Sequence, residues 1–412
     1  MRHSRGLRTA AVTLPLLLAA VGCQTAQPAG EPAAKAASPT GKPVFEERLS
    51  AQLGAASRAT AASGSARFTA TVTYGSAGGD AVERTTGVLD YAKDTARVER
   101  SVVVPRRFPE KAATEDLGRA PGVDARERYA VEENTISYRT PRGTWLRYSA
   151  SGSKEFTDTV SGFLEYAGEA APWGRTLAEV VHHASAERSP ERTAAGGRRY
   201  ELKIYARTAS EALPNEIAFH LNYARSDDKV PLTVELDKDG RLVRAQADFA
   251  PALGGLHAEG VLVGVTSLRA DYVLAGHGST KVPPVPAGEP SQDAEKTTTT
   301  VDALKPGACA SEDTGLGSMT RILPVPCGKD ADLRVFGHAR VDKTVQGDPQ
   351  GVGEAAAGEK CRSRYRSAPA AWTSGARPAG SFQVYGGTSI SYEYTGADST
   401  VSGDYTCYVS LR

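Results

Sequence analysis

The stretch that decides the fold is VPLTVELDKDGRLVRAQADF at residues 230–249. Apolar and polar residues alternate along 230–236 and again along 242–249, which is the period of two expected of half-buried strands. Between them, the tetrapeptide DKDG at 237–240 is a turn, and Gly240 supplies the positive φ that such turns need. The stretch therefore predicts an antiparallel hairpin.

The same alternation recurs on both sides of this hairpin. In residues 66–74, Phe68, Ala70, Val72 and Tyr74 alternate with polar side chains. Further strands are predicted at 88–91, 96–100, 128–131, 135–139, 144–148, 199–205 and 261–274. Residues 105–125 are polar and irregular, and we interpret them as a loop insertion.

Helical spacing of apolar residues separates these runs of strands. It predicts helices at 43–60, 156–164, 177–181 and 209–224, the last interrupted by Pro214. Strands and helices cluster instead of alternating, which favours an α+β fold. We expect a curved antiparallel sheet with helices on one side and an apolar space between sheet and helices.

The N-terminus carries the pattern of an export signal. Arg2, Arg5 and Arg8 precede the apolar run LPLLLAAVGC at 14–23. The run is too short to span a bilayer core of about 30 Å. Residues 20–23 resemble a bacterial lipoprotein box, in which Cys23 would be acylated, with palmitate for example. The alternative is an ordinary signal peptide with an incidental cysteine.

These features set the expected location and partners of the chain. We predict a signal peptide at 1–22, a disordered tether at 23–42, and attachment to the extracytoplasmic face of the plasma membrane through Cys23. Removing residues 1–22 takes away three arginines and no acid, which leaves 46 basic and 48 acidic residues. That balance does not favour nucleic acid as a partner. A hydrophobic content of 40% is that of a globular protein.

The other four cysteines lie in the last quarter of the chain, at Cys309, Cys327, Cys361 and Cys407. In an exported protein an even set of clustered cysteines predicts disulfides, and four cysteines allow three connectivities. A zinc site is the alternative, but the sequence has no Cys-x-x-Cys pair, so we expect no metal.

Residues 43–285 resemble the actinobacterial LppX/LprG-type lipoproteins. The resemblance rests on the lipoprotein box, the hairpin VELDKDGRLV at 234–243, and the strand ADYVLAG at 270–276 followed by VPP at 282–284. It implies a half-barrel similar to the LolA/LolB carriers, enclosing a lipid-sized cavity for an acylated lipid or glycolipid. This chain departs from the family in its many charges and in the insertion at 105–125.

Residues 286–302 form a predicted linker, and residues 303–412 resemble the septum-formation family domain. The carriers of this resemblance are LKPGAC at 304–309, VPC at 325–327, Cys361 ahead of Trp372, and YTCY at 405–408. The family's Pro-His pair after the second cysteine is replaced by GKD at 328–330. With this resemblance we expect a small, mainly β domain with sequential pairing, Cys309 to Cys327 and Cys361 to Cys407.

No residue set in the sequence fills the roles that an enzyme requires. His182 and His183 are adjacent and would point about 100° apart on a helix. Ser76 lies in a strand turn without the Gly-x-Ser-x-Gly spacing of a nucleophile elbow. We therefore predict no enzymatic activity and no cofactor, and rank a cryptic hydrolase last.

The leading hypothesis is a lipoprotein that binds an apolar ligand, a lipid or glycolipid, in its half-barrel. The candidate cavity residues are Val160, Phe163, Leu164, Leu177, Val180 and Val181. Their alternative role is to pack against the sheet. The rival hypothesis is an interaction or assembly module that binds an envelope protein partner through the disulfide domain.

Overall fold

The hairpin at 230–249 lies within a twelve-stranded curved sheet of an α+β fold. The computed structural model describes residues 42–132, 135–160, 176–223, 228–285, 288–316, 321–346, 349–387, 390–395 and 398–412. Contacts divide the chain after Thr40, so that Gly41–Arg412 form one unit. Cys23 and the predicted signal peptide lie outside the described residues.

The strands of this first sheet follow one another as an antiparallel meander over most of its width. They are β1 (Ser65–Ser76), β2 (Ala81–Asp90), β3 (Thr95–Val103), β4 (Asp124–Glu132), β5 (Thr135–Arg139), β6 (Trp145–Ser149), β7 (Glu191–Arg192), β8 (Arg198–Tyr205), β9 (Lys229–Leu236), β10 (Leu242–Asp248), β11 (Val265–Ala275) and β12 (Ser291–Asp293). The spatial order is β12-β6-β5-β4-β3-β2-β1-β11-β10-β9-β8-β7. Strands β9 and β10 confirm the predicted hairpin, and Gly240 has a φ of 78°.

Short helices cover one face of the sheet. They are α1 (Gln52–Ala62), α2 (Lys154–Thr159), α3 (Leu177–His183), α4 (Ala206–Ala209), α5 (Asn215–Tyr223) and α6 (Leu253–Ala258). Side chains fix two of their starts, because the Ser153 hydroxyl accepts from the Phe156 amide and the Thr176 hydroxyl accepts from the Ala178 amide. Among the described residues, no helix is long and apolar enough to cross a membrane.

Two segments are more ordered than the sequence predicts. The insertion at 105–125 contains a helical turn, Ala112–Asp116, and buries Phe108 in the main core, so it is not a surface loop. The predicted linker at 286–302 contains β12, which pairs in parallel with β6, and a short helix α7 (Ala294–Thr297). The sheet is therefore mixed and not wholly antiparallel.

The disulfide domain contains a second, six-stranded antiparallel sheet. Its strands are β13 (Cys309–Ser311), β14 (Leu323–Val325), β15 (Leu333–Gln346), β16 (Gln383–Gly386), β17 (Ser391–Thr395) and β18 (Asp398–Ser410). Two disulfides join Cys309 to Cys327 and Cys361 to Cys407, with Cα–Cα distances of 5.1 and 5.5 Å. This is the sequential pairing that we expected.

The 19-residue helix α8 (Pro349–Ser367) of this domain is absent from the sequence prediction. A shorter helix, α9 (Ala370–Thr373), follows it. The buried positions of α8 include Gly353, Ala356, Ala357 and Cys361, which recur at helical spacing but are too small to give an apolar pattern. A Cβ at Gly353 would meet the Tyr405 hydroxyl at 2.4 Å, so the small side chains allow the helix to lie close to the sheet.

Candidate functional site

The candidate site is the face of the twelve-stranded sheet that carries Phe68, Tyr129, Tyr148 and Tyr272, which we call the inner face. Residues on it contribute to the largest hydrophobic cluster of the molecule. Since side chains alternate between the two faces of a strand, the pairing register of neighbouring strands defines which residues lie on the inner face. The inner face divides into two halves of different chemistry.

The apolar half comprises the inner positions of β1 and β8–β11. In β1, β9, β10 and β11 its buried members are all alanine, valine, leucine, phenylalanine or tyrosine: Ala66, Phe68, Val72, Tyr74, Val230, Leu232, Val234, Leu236, Leu242, Ala245, Ala247, Leu268, Ala270, Tyr272 and Leu274. An apolar ligand can be buried against such a surface without leaving polar groups unpaired.

Helices α1 and α3 pack over the apolar half, and a few polar contacts hold them there. The Tyr200 hydroxyl donates to Gln52 Oε1 at 2.6 Å, and the Leu242 amide donates to the Thr60 hydroxyl at 2.8 Å. Burial raises the pKa of Tyr272 well above its ordinary value, so this phenol stays neutral.

The described cavity candidates lie in this helical layer. Val160, Leu177, Val180 and Val181 are each at most 2% exposed and belong to the main hydrophobic cluster. Phe163 and Leu164 lie outside the described residues. Both a packed core and the wall of a closed cavity require such burial, so ligand binding by these residues stays a prediction.

The other half comprises the inner positions of β2–β6. Many of these are apolar, such as Leu89, Val98 and Ile136, but a charged network lies at the centre, and for this network we call it the polar half. Arg100 Nε contacts Glu83 Oε1 at 2.8 Å, and Arg100 Nη1 contacts Glu127 Oε2 at 3.0 Å. Arg119, from the insertion at 105–125, pairs with the other carboxylate oxygen of Glu127. The Tyr129 hydroxyl donates to Glu127 Oε2 at 3.0 Å.

Mutual pairing keeps this network charged despite its burial. Burial alone would raise the pKa of Glu127, but Arg100 and Arg119 hold it below its ordinary value. Burial would lower the pKa of Arg100, yet Glu83 and Glu127 raise it. This network was not predicted from the sequence, although the period of two places Arg100, Glu127 and Tyr129 on the same face as apolar residues.

A loop of the disulfide domain covers the remainder of the polar half. We call residues 313–316 the inserted loop. The Tyr148 hydroxyl donates to the Thr314 carbonyl at 2.6 Å, and the Tyr129 hydroxyl lies 3.4 Å from the Gly315 carbonyl. A Cβ at Gly315, where φ is 80°, would lie 2.4 Å from the Tyr138 ring. The fit over the tyrosines therefore requires glycine at this position.

Further contacts attach the disulfide domain to the same end of the sheet. The Arg321 guanidinium lies 5.2 Å from the centre of the Phe156 ring, a cation–π contact. The ring of Phe156 is in turn stacked on that of Tyr148, with centroids 6.2 Å apart. Arg142 donates to the Asp330 carbonyl at 3.3 Å. The two sheets thus share an interface instead of being joined only by a linker.

A cleft of about 270 Å³ opens where β5, β6 and β12 meet the start of α2. Its lining consists of Thr135, Arg147, Ser149, Ser151, Gly152, Phe156, Asp293 and Glu295. Because Phe156 is the single apolar side chain in this lining, the cleft is not the apolar cavity predicted from sequence. None of the six cavity candidates lines it.

Among the residues that the structure describes, no group of three or more His, Cys, Asp or Glu side chains is placed to hold a metal ion. His182 and His183 form a T-shaped ring contact with centroids 4.8 Å apart, and both are exposed at the end of α3.

Comparison with known proteins gives only weak similarities. No protein-family model and no curated protein matches the chain. The crystal structure of MucB in complex with MucA(peri) has a TM-score of 0.23 and 12% identity, over 87% of this chain and 92% of that one. The complex structure of Pseudomonas aeruginosa MucA/MucB has a TM-score of 0.21 and 10% identity, over 87% and 94%. TM-scores this low do not indicate a shared function.

Proposed function

We propose that this protein is a lipid-anchored extracytoplasmic lipoprotein that binds an acylated ligand, a lipid or glycolipid, on the apolar half of the inner face. The observation that carries this proposal is the apolar lining formed by the adjacent strands β1, β11, β10 and β9, covered by the short helices α1 and α3. The packing of these helices on the sheet is largely apolar and non-directional, so an acyl chain could replace part of it with contacts of the same kind.

The proposed location rests on two features of the chain. The lipoprotein box ending at Cys23 supplies the attachment point, and two disulfides are typical of an oxidising compartment. One acyl chain binds a membrane only marginally, so stable attachment requires a multiply acylated cysteine. We expect a Cys23→Ser variant to leave the membrane fraction. If it stayed there, the proposed anchor would be wrong.

Ligand binding is tested by native mass spectrometry of the protein purified from membranes. We expect an additional mass that organic extraction releases and identifies as an acylated molecule. An Ala247→Leu variant, whose larger side chain would take up space on the apolar half, should lose that mass while remaining folded. Gln246→Leu, on the neighbouring outward position, is the control and should retain it. A wild-type chain free of any lipid would contradict the proposal.

A second candidate function is an interaction with an envelope protein through the disulfide domain. It is favoured by β17, which pairs with β18 on one side and exposes 37% of Tyr392 and 72% of Tyr394. Exposed aromatic side chains on an edge strand are typical of protein interfaces. A Tyr392→Ser/Tyr394→Ser variant should then lose envelope partners in pull-downs, whereas Tyr205→Ser, which changes an exposed tyrosine of the other sheet, should not.

A further inference from the structure

The inserted loop covers part of the same inner face whose apolar half is proposed to bind the acylated ligand. Thr314 is fully buried there, and Leu316 packs against the main hydrophobic cluster. We propose that residues 313–316 are an internal plug that competes with the acylated ligand, so that the disulfide domain controls access to the inner face. This inference rests on the proposed function of that face.

The polar contacts of the plug are of a kind that a ligand can replace. The Tyr148 hydroxyl donates to the Thr314 carbonyl, whereas the Tyr129 hydroxyl donates to Glu127 and lies 3.4 Å from the Gly315 carbonyl. The ester, amide or carboxyl group of an acylated molecule presents the same kind of acceptor. A ligand that takes the place of the loop can therefore supply the kind of acceptor that the Thr314 carbonyl provides to Tyr148.

The plug is fixed at its base and held at its tip by the inner face. At the base, Asp332 Oδ2 accepts from the Ser311 hydroxyl at 2.9 Å and from the Glu312 amide at 2.8 Å. The Cys309–Cys327 disulfide closes the segment from which the loop projects. Since base and tip are held by different groups, the tip can leave the inner face without unfolding of the domain.

Two substitutions should release the plug. Gly315→Ala places a methyl group against the Tyr138 ring, at the 2.4 Å approach given above, and so expels the loop. Tyr148→Phe keeps the ring and removes the donor to Thr314, a milder change that keeps the test valid if the first variant folds poorly. Gly380→Ala is the matched control, because Gly380 has a φ of 77° with no atom within 4 Å of its Cβ position.

Binding of dansyl-undecanoic acid to the full mature chain with Cys23→Ser is measured by fluorescence titration, after circular dichroism has established folding. If the plug fills the site, only molecules with the plug released can bind the probe. The apparent affinity is then the intrinsic affinity multiplied by the fraction of such molecules. We expect about tenfold tighter binding for Gly315→Ala, about threefold for Tyr148→Phe, and a change below twofold for Gly380→Ala. Saturation with the probe should also raise amide exchange in residues 313–316 of the wild-type chain.

The outcomes separate this inference from the function on which it rests. Tighter binding by both release variants, with faster exchange in the loop, supports the plug. Equal affinity in wild-type and release variants, or unchanged exchange on saturation, overturns the plug and leaves ligand binding intact. Absence of binding in every folded variant overturns the proposed function, and the plug with it.

Discussion

The two halves of the inner face are buried by different forces. On the apolar half, α1 and α3 cover aliphatic and aromatic side chains, and the contact is mostly non-directional. On the polar half, the segment 105–125 and the inserted loop at 313–316 make directional contacts. These are centred on Glu127 and on the hydroxyls of Tyr129 and Tyr148. A directional contact holds one geometry, whereas apolar layers tolerate shifts. The cover of the polar half therefore depends on a few contacts that single substitutions can break, whereas the cover of the apolar half depends on packing spread over many side chains.

The largest expected effect comes from breaking the charged network. Glu127→Ala removes a carboxylate that pairs with the buried Arg100 and accepts from the Tyr129 hydroxyl, so we expect the free energy of unfolding to fall by about 3–5 kcal/mol. The control is Glu132→Ala on the same strand. The Glu132 side chain, which pairs with Arg97, is 55% exposed, so its loss should cost less than about 1 kcal/mol. Urea denaturation measures both. Equal losses would mean that the network adds nothing beyond a surface pair.

Truncation of leucines tests whether the helical layer of the apolar half is packed or encloses space. Leu53, in α1, is fully buried, and Leu53→Ala should cost about 2–5 kcal/mol, as core truncations do. Leu177, in α3, is 2% exposed. If it lines a ligand space, Leu177→Ala should cost about 1 kcal/mol in delipidated protein, because part of the packing is already missing. Equal costs at the two positions would indicate a packed core instead.

Acid should weaken the polar half before the apolar half. The folded-state pKa of Glu127 is lowered, so this residue contributes stability that is complete above its ordinary pKa and is lost as the pH falls through the folded value. We expect wild-type stability to decline below about pH 4.5, with a flatter decline in Glu127→Gln. Thermal unfolding of both proteins between pH 7 and pH 3 measures the difference. If the stability of the two proteins fell in parallel with pH, Glu127 would not be the group responsible for the loss.

Local pattern could predict most of the sheet, but not the contacts that close the site. Period-two alternation indicated the strands that carry Tyr129, Tyr138 and Tyr148, and it also fixes their common face. Nothing near them indicates that Gly315 will lie against them, because that contact joins residues far apart in sequence and depends on how two sheets dock. Helix α8 was not predicted for a different reason. Apart from Pro349, its buried residues are glycine, alanine and cysteine, which are too small to give an apolar pattern.

The smallest expected effect compares one tyrosine hydroxyl from each half. Tyr200→Phe removes the bond to Gln52 in α1, and Tyr148→Phe removes the bond to Thr314 in the inserted loop. Each should lower the free energy of unfolding by about 1 kcal/mol. Hydrogen exchange distinguishes them, because the first should raise exchange in α1 alone and the second in residues 313–316 alone. A response that spread to both segments in either variant would show that the two halves open together, and the division of the inner face would lose its meaning for ligand entry.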